Sequence, residues 1–218
     1  MTAGAATPRA PRVMLVVTVD DAMARRETIA AALAAGADAL QLRDRRAGGG
    51  ALLVAARALR ALTRAHGAAL VVNDRADVAL AAAADGIHLP AAAFPIAAAR
   101  RLLGPEPWVG RSTHTPEEAA RAAADGADYV VLGPVFATPS KEAYGPPLGL
   151  EALATGVGRA ACPVIAIGGI TSSNAADVRR AGAHGLAVIR AVLDAPDPAA
   201  ETRALAAAMR GRATSRSP

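Results

Sequence analysis

The sequence predicts an α/β chain folded as a single closed barrel of eight parallel strands and eight covering helices, a (β/α)8 TIM barrel. Three observations carry this. First, a phrase recurs: Gly36-Ala37-Asp38 before Ala-Leu-Gln-Leu, Asp85-Gly86 before Ile-His-Leu, Gly126-Ala127-Asp128 before Tyr-Val-Val-Leu, and Gly182-Ala183-His184 before Gly-Leu-Ala-Val-Ile. Each follows an Ala-rich stretch of helical periodicity, so its Gly can close a helix in the left-handed conformation before a short buried strand begins. Second, eight short Val/Ile/Leu runs read as strands covered on both faces. Third, 218 residues at 53% hydrophobic can bury one sizeable core.

In chain order the strands are expected at 13–19, 38–42, 69–73, 85–89, 107–111, 128–132, 163–167 and 184–189. Helices fit after each, near 25–35, 51–65, 76–83, 96–103, 116–125, 148–156, 172–181 and 199–210. The fifth helix has the clearest start, Thr115 as cap, Pro116 at the first helical position and Glu117-Glu118 in an acidic first turn. A doubly wound open sheet would use the same alternation, but the first strand lacks a Gly-rich dinucleotide turn. The domain reading is a barrel over 13–209 between disordered basic tails at 1–12 and 210–218.

Composition excludes several functions. With aromatics at 2%, Ala, Val and Leu must fill the core. The pI near 10.5 invites a nucleic-acid reading, yet five arginines (Arg9, Arg12, Arg210, Arg212, Arg216) sit in acid-free tails. Removing those five from the net charge of +5 leaves a body of zero, so no nucleic-acid partner is expected. Cys162 stands alone, which excludes an intramolecular disulfide and fits a reducing compartment. No signal-peptide pattern or 18-residue uncharged apolar span occurs, so the expectation is a cytoplasmic protein with no membrane partner. A homo-oligomer stays open.

In such a barrel, reacting groups belong at the C-terminal ends of the strands. Those ends read Gln41-Leu42-Arg43, Asn73-Asp74, His88, Ser112 to His114, Gly133 through Lys141, Gly168-Gly169 and Ile189-Arg190. Lys141 is the only lysine beside 23 arginines (24 basic residues less one), which suggests a place where a compact point charge is wanted. It shares a Gly/Pro loop with Thr138 and Ser140, donors suited to a phosphate, although a leftover surface lysine reads the same way. Gly168-Gly169 before Thr171-Ser172-Ser173-Asn174 places amides and a helix start at this fold's habitual phosphate position, with Arg190 ending the eighth strand. Arg43 could clamp phosphate oxygens, while Asp44, Arg45 and Arg46 read as a solvated charge run. Asp74 offers a carboxylate to Mg2+, or else a helix cap or a partner for Arg75. His114 is the acid/base candidate, with a loop hydrogen bond as the alternative. His88 points inward or packs behind the rim, and His66 and His184 lie on the opposite rim as structural residues.

Taken in order and spacing, Gln41-Leu42-Arg43, Asn73-Asp74-Arg75, Asp85-Gly86-Ile87-His88-Leu89, Ser112-Thr113-His114-Thr115, Gly133 through Lys141 and Ala166-Ile167-Gly168-Gly169-Ile170-Thr171 resemble the thiamin phosphate synthase family, which includes the thiazole tautomerases. The likeness spans residues 13 to about 197. It implies a Mg2+-dependent transferase of thiamin biosynthesis whose partners are small phosphorylated substrates, a pyrimidine pyrophosphate and a thiazole phosphate. By resemblance Gln41, Arg43, Asn73 and Lys141 would hold the pyrimidine pyrophosphate, with Asp74 on Mg2+. Ser112 would contact the pyrimidine substrate or the product, and Thr138 and Ser140 the thiazole side. Gly169 with the Ile189-Arg190 backbone would take the thiazole phosphate, beside Gly168. Two positions depart from the family: Ala93 stands where a second Asp ligand for Mg2+ is usual, and Arg190 where Ser is common. The stretch from Leu89-Pro90 to Phe94 instead resembles the tautomerase branch, which uses a His at the position of His114 and needs no metal. The synthase is the leading expectation, the tautomerase the second, and a non-catalytic sensor of thiazole or thiamin phosphates the third.

Overall fold

In a computed structural model, described for residues 10–138 and 146–210, eight strands pair in parallel in the order β1 to β8 and β8 closes back on β1. They are β1 (Val13–Val17), β2 (Ala39–Leu42), β3 (Ala69–Asn73), β4 (Gly86–Leu89), β5 (Trp108–Thr113), β6 (Tyr129–Leu132), β7 (Val164–Ile167) and β8 (Gly185–Val188). The helices are α1 (Val19–Ala24), α2 (Arg26–Ala34), α3 (Gly49–His66), α4 (Ala76–Ala81), α5 (Ile96–Leu103), α6 (Pro116–Ala124), α7 (Gly149–Arg159), α8 (Ala175–Arg180), α9 (Arg190–Leu193) and α10 (Pro198–Arg210). The expected (β/α)8 TIM barrel is therefore the fold.

Strand parity divides the core in two. Leu15, Leu40, Leu42, Leu70, Ile87, Val130 and Leu132 face outward and pack on the helices. Met14, Val16, Ala39, Val71, Tyr129, Val131, Ile165 and Ala187 fill the interior. Toward the C-terminal end the interior is not filled: Val16, Val131 and Ala187 border open space there.

The recurring phrase acquires a second meaning at the base. Its carboxylate accepts amides from the preceding strand: Asp38 from Val13 N at 2.9 Å, Asp85 from Leu70 N at 2.7 Å and Asp128 from Val109 N at 2.7 Å. From the helix layer Arg60 forks onto Asp85, at 2.5 and 3.0 Å, and Arg100 pairs with Asp128 through Nη2 at 2.5 Å while its Nη1 donates to Pro107 O. The fourth phrase has His184 in place of Asp, and its Nε2 meets Ala10 O at 3.1 Å, as expected of a structural residue on this rim. Arg12, placed in the basic tail by the sequence, is bound here as well, its amide donating to Asp38 and its guanidinium to His184 O.

Several ends move from their expected positions; the fifth strand runs two residues further, to Thr113, and two strands stop short. The first strand stops at Val17, because Thr18 caps a helix missing from the sequence reading: Thr18 and Asp21 exchange side-chain and backbone hydrogen bonds in a capping box. The eighth strand stops at Val188, so Arg190 opens the short helix α9 rather than ending β8.

Candidate active site

Period-two alternation decides which polar residues enter the barrel. Gln41 lies between Leu40 and Leu42, which face the helices, so it points inward at 4% exposure, its amide 3.5 Å from Met14 Sδ. Arg43 follows at the same parity one step higher. His88, between outward Ile87 and Leu89, points inward by the same rule, which settles its orientation. Its Nε2 lies 2.8 Å from Ser112 Oγ. Burial, aided by the charges of Arg43 and Arg111, lowers its pKa to about 3, so the ring is neutral.

Above these groups the C-terminal mouth opens into a cavity of ≈ 540 Å3. Val16, Gln41, His88, Val131, Ile167 and Ala187 line it from within the barrel, and Arg43, Arg45, Ser112, His114, Thr138, Gly168, Gly169, Ile189 and Arg190 complete its wall. Nine of the residues named from sequence thus share one space: Gln41, Arg43, Ser112, His114, Thr138, Gly168, Gly169, Ile189 and Arg190.

The turn after β7 is built for close backbone approach. The segment following β6 runs against it, Val135 N donating to Ile167 O at 2.9 Å and Phe136 N to Gly168 O at 3.0 Å. A Cβ on Gly168 would lie 2.6 Å from Pro134 Cβ, and one on Gly169 2.6 Å from Ala137 O, so no other residue fits without displacing that segment. Asn174 locks the turn from beyond, accepting from Thr171 N at 3.0 Å and donating to Gly169 O at 2.9 Å. Arg190 reaches across the mouth, its Nη2 3.5 Å from Thr138 Oγ1, which joins the β6 and β8 sides of the rim.

His114 is exposed, and its Nδ1 donates to Gly133 O at 2.8 Å while its amide donates to Glu118 Oε2 at 2.6 Å. The loop hydrogen bond expected as the alternative therefore exists, and it engages Nδ1, not Nε2.

Asn73 ends β3 in register with His88, and Asp74 follows, exposed, on left-handed backbone with φ 66° and its amide donating to His88 O. Neither is among the residues lining the cavity. Arg75 binds Asp77 rather than Asp74, with contacts of 2.8 and 2.5 Å. Among the described residues no three His, Cys, Asp or Glu side chains gather as a metal site. The single exposed carboxylate of Asp74 does not make a resident metal site; it fits Mg2+ carried in on a pyrophosphate, since this ion is commonly held by one or two carboxylates plus substrate phosphates. Ser140 and Lys141 lie in 139–145, outside the described residues.

The sequence reading missed Arg45 by treating 44–46 as solvated. Asp44 instead accepts the amides of Arg46 at 3.0 Å and Ala47 at 3.1 Å, and these bonds hold its carboxyl below the usual range. An Asp bonded to amides two and three residues on is a turn signal that the sequence carried. The resulting turn places Arg45 on the cavity wall.

A closed barrel with one cavity at the C-terminal mouth, walled by arginines and a Gly-Gly turn, defines a TIM-barrel protein with a site for small anionic ligands. Residues 13–192 match the family model for thiamine monophosphate synthase, and the chain belongs to that family. It is 52% identical over 180 residues to a thiamine-phosphate synthase of Roseiflexus castenholzii, covering 82% of this chain and 78% of that one. A thiamine-phosphate synthase of Methanoculleus marisnigri is 48% identical over 195 residues, covering 88% and 92%. The solved thiamine phosphate pyrophosphorylase of Pyrococcus furiosus superimposes with a TM-score of 0.82 at 36% identity, over 91% of this chain and 95% of that one.

Proposed function

We propose that this chain joins hydroxymethylpyrimidine pyrophosphate to thiazole phosphate, forming thiamin phosphate and releasing pyrophosphate. The carrying observation is one cavity with anion-suited groups at two places on its rim: Arg43 and Arg45 follow β2, while Gly168-Gly169 follow β7, three strands round the barrel, with Arg190 after the intervening β8. Two phosphorylated reactants need that separation, and the family membership and the relatives' names support the same reaction.

In this reading Gln41 and Ser112 hold the pyrimidine inside the barrel. Arg43, with Lys141, neutralises the departing pyrophosphate, which leaves with the electron pair of the broken C–O bond. The aminopyrimidine stabilises the resulting carbocation, and the thiazole nitrogen donates its lone pair to form the new C–N bond. Gly169 and the Ile189-Arg190 segment fix the thiazole phosphate, with Thr138 and Ser140 beside the ring. Asn73 and Asp74, at the end of β3 and outside the cavity lining, would meet only the outer part of the pyrophosphate, where Asp74 would hold Mg2+. The ion, when bound, offsets leaving-group charge. His114 braces the Gly133 turn and moves no proton in this reaction.

A thiazole tautomerase has one observation in its favour, His114 at the cavity wall with its Nδ1, not its Nε2, engaged by Gly133 O. One assay separates the readings: thiamin phosphate formation from the two substrates with Mg2+ and with EDTA. Metal-dependent product supports the synthase; no product, with His114-dependent and metal-independent isomerisation of thiazole carboxylate phosphate, would replace it with the tautomerase.

A further inference from the structure

Beneath the cavity lies a buried polar chain. His88 is 2% exposed and engages both ring nitrogens, Nε2 with Ser112 Oγ at 2.8 Å and Nδ1 with the Tyr129 hydroxyl at 3.4 Å. Tyr129 is fully buried, and among the described residues His88 Nδ1 is the one partner of its hydroxyl. A buried phenol without an acceptor is costly, so its proton is donated to Nδ1. A neutral imidazole that accepts at Nδ1 carries its proton on Nε2, and that N–H is donated to Ser112 Oγ. In the opposite tautomer Nδ1–H would donate to Tyr129 Oη and leave the buried phenol proton without an acceptor among the described residues. Ser112 Oγ, already accepting from His88, keeps its own proton for the cavity that Ser112 lines.

We propose that Tyr129 and His88 form a polarised relay that fixes Ser112 as a hydrogen-bond donor, so that the site selects a ligand ring presenting a lone pair, such as an aromatic ring nitrogen, over one presenting N–H. That the ring is the pyrimidine rests on the function proposed above; the direction of the relay does not. Tyr129 and His88 are positioning residues, acting on the ligand only through Ser112.

Two measurements test this. Nitrogen NMR of the protein labelled in histidine, with the His88 signals assigned by loss in His88→Gln, reads the tautomer directly: Nε2–H is expected, and Nδ1–H in the wild-type protein would overturn the relay. In kinetics, Tyr129→Phe should lower kcat/KM for the pyrimidine pyrophosphate by about tenfold, and by less than about twofold in a Ser112→Ala background. Equal losses in both backgrounds would show a merely structural role and overturn the proposal. Failure of the wild-type protein to make thiamin phosphate would defeat the proposed function alone, since the tautomer is read without turnover.

Discussion

His88 and Tyr129 stack across the width of β5, their ring centroids 5.7 Å apart and their planes inclined at 25°, because the residue between them in the sheet is Gly110. A Cβ on Gly110 would lie 2.2 Å from Tyr129 Cζ, with the fully buried ring held in a packed interior. Gly110→Ala should therefore cost about 3 kcal/mol as overpacking, displace Tyr129 and with it the orientation of His88. Urea unfolding measures the first effect and substrate affinity the second; an unchanged unfolding midpoint would refute the packing argument.

The carboxylates at the base make a second prediction. Asp128 accepts from Val109 N at 2.7 Å and pairs with Arg100, with 17% of its side chain exposed. Asp128→Asn keeps one acceptor but loses the charge, and should cost about 1–3 kcal/mol. The exposed pair of Glu117 with Arg159 is the comparison, where Glu117→Gln should leave the melting temperature nearly unchanged. Thermal melts of the two variants should separate clearly.

Cys162 adds a pH dependence to the same region. Burial, reinforced by the charge of Asp128, raises its thiol from 9.0 to about 11. A raised acid pKa means the folded chain holds its proton where the unfolded chain has lost it. Alkylation by iodoacetamide should thus be slow at pH 8, climb about tenfold per pH unit toward 11, and speed up at once in urea. Folding stability should fall as pH rises from about 9 to about 11. Asp128→Asn should lower the thiol pKa, seen as faster native labelling at pH 9.

The fold was legible because each unit announces itself locally: an apolar run short enough for a strand, then an Ala-rich helix closed by a Gly phrase. The exceptions follow from competition between neighbouring signals. Val19 continues the first apolar run, yet Thr18 and Asp21 form a capping box, and the cap wins the residue for α1. Gln41 and His88 were visible as single polar residues within apolar runs, and period-two alternation places both inside. What no local pattern could give is the pairing across units. That Asp128 would meet Val109, or that Gly110 would let two rings touch, depends on which strands become neighbours and in what register. Arg190 was found at the mouth but assigned to a strand, since the turn at Ile189, φ −126° and ψ −90°, leaves little trace in sequence.

The Gly-Gly turn gives the most direct test of the site. Gly169 has φ 63°, and a Cβ there would press against Ala137 O and Phe136 Cβ, so Gly169→Ala strains the turn and pushes away the segment that carries Thr138. Asn174→Ala acts more gently, removing the bonds to Thr171 N and Gly169 O while leaving every backbone conformation allowed. If this turn holds the thiazole phosphate, both variants should raise KM for that substrate, by about tenfold for Asn174→Ala and more for Gly169→Ala, with KM for the pyrimidine pyrophosphate changed less than about threefold. The asymmetry is the informative quantity, because general loosening of the barrel would weaken both substrates together. Equal changes for the two would mean that the phosphate is bound elsewhere on the rim.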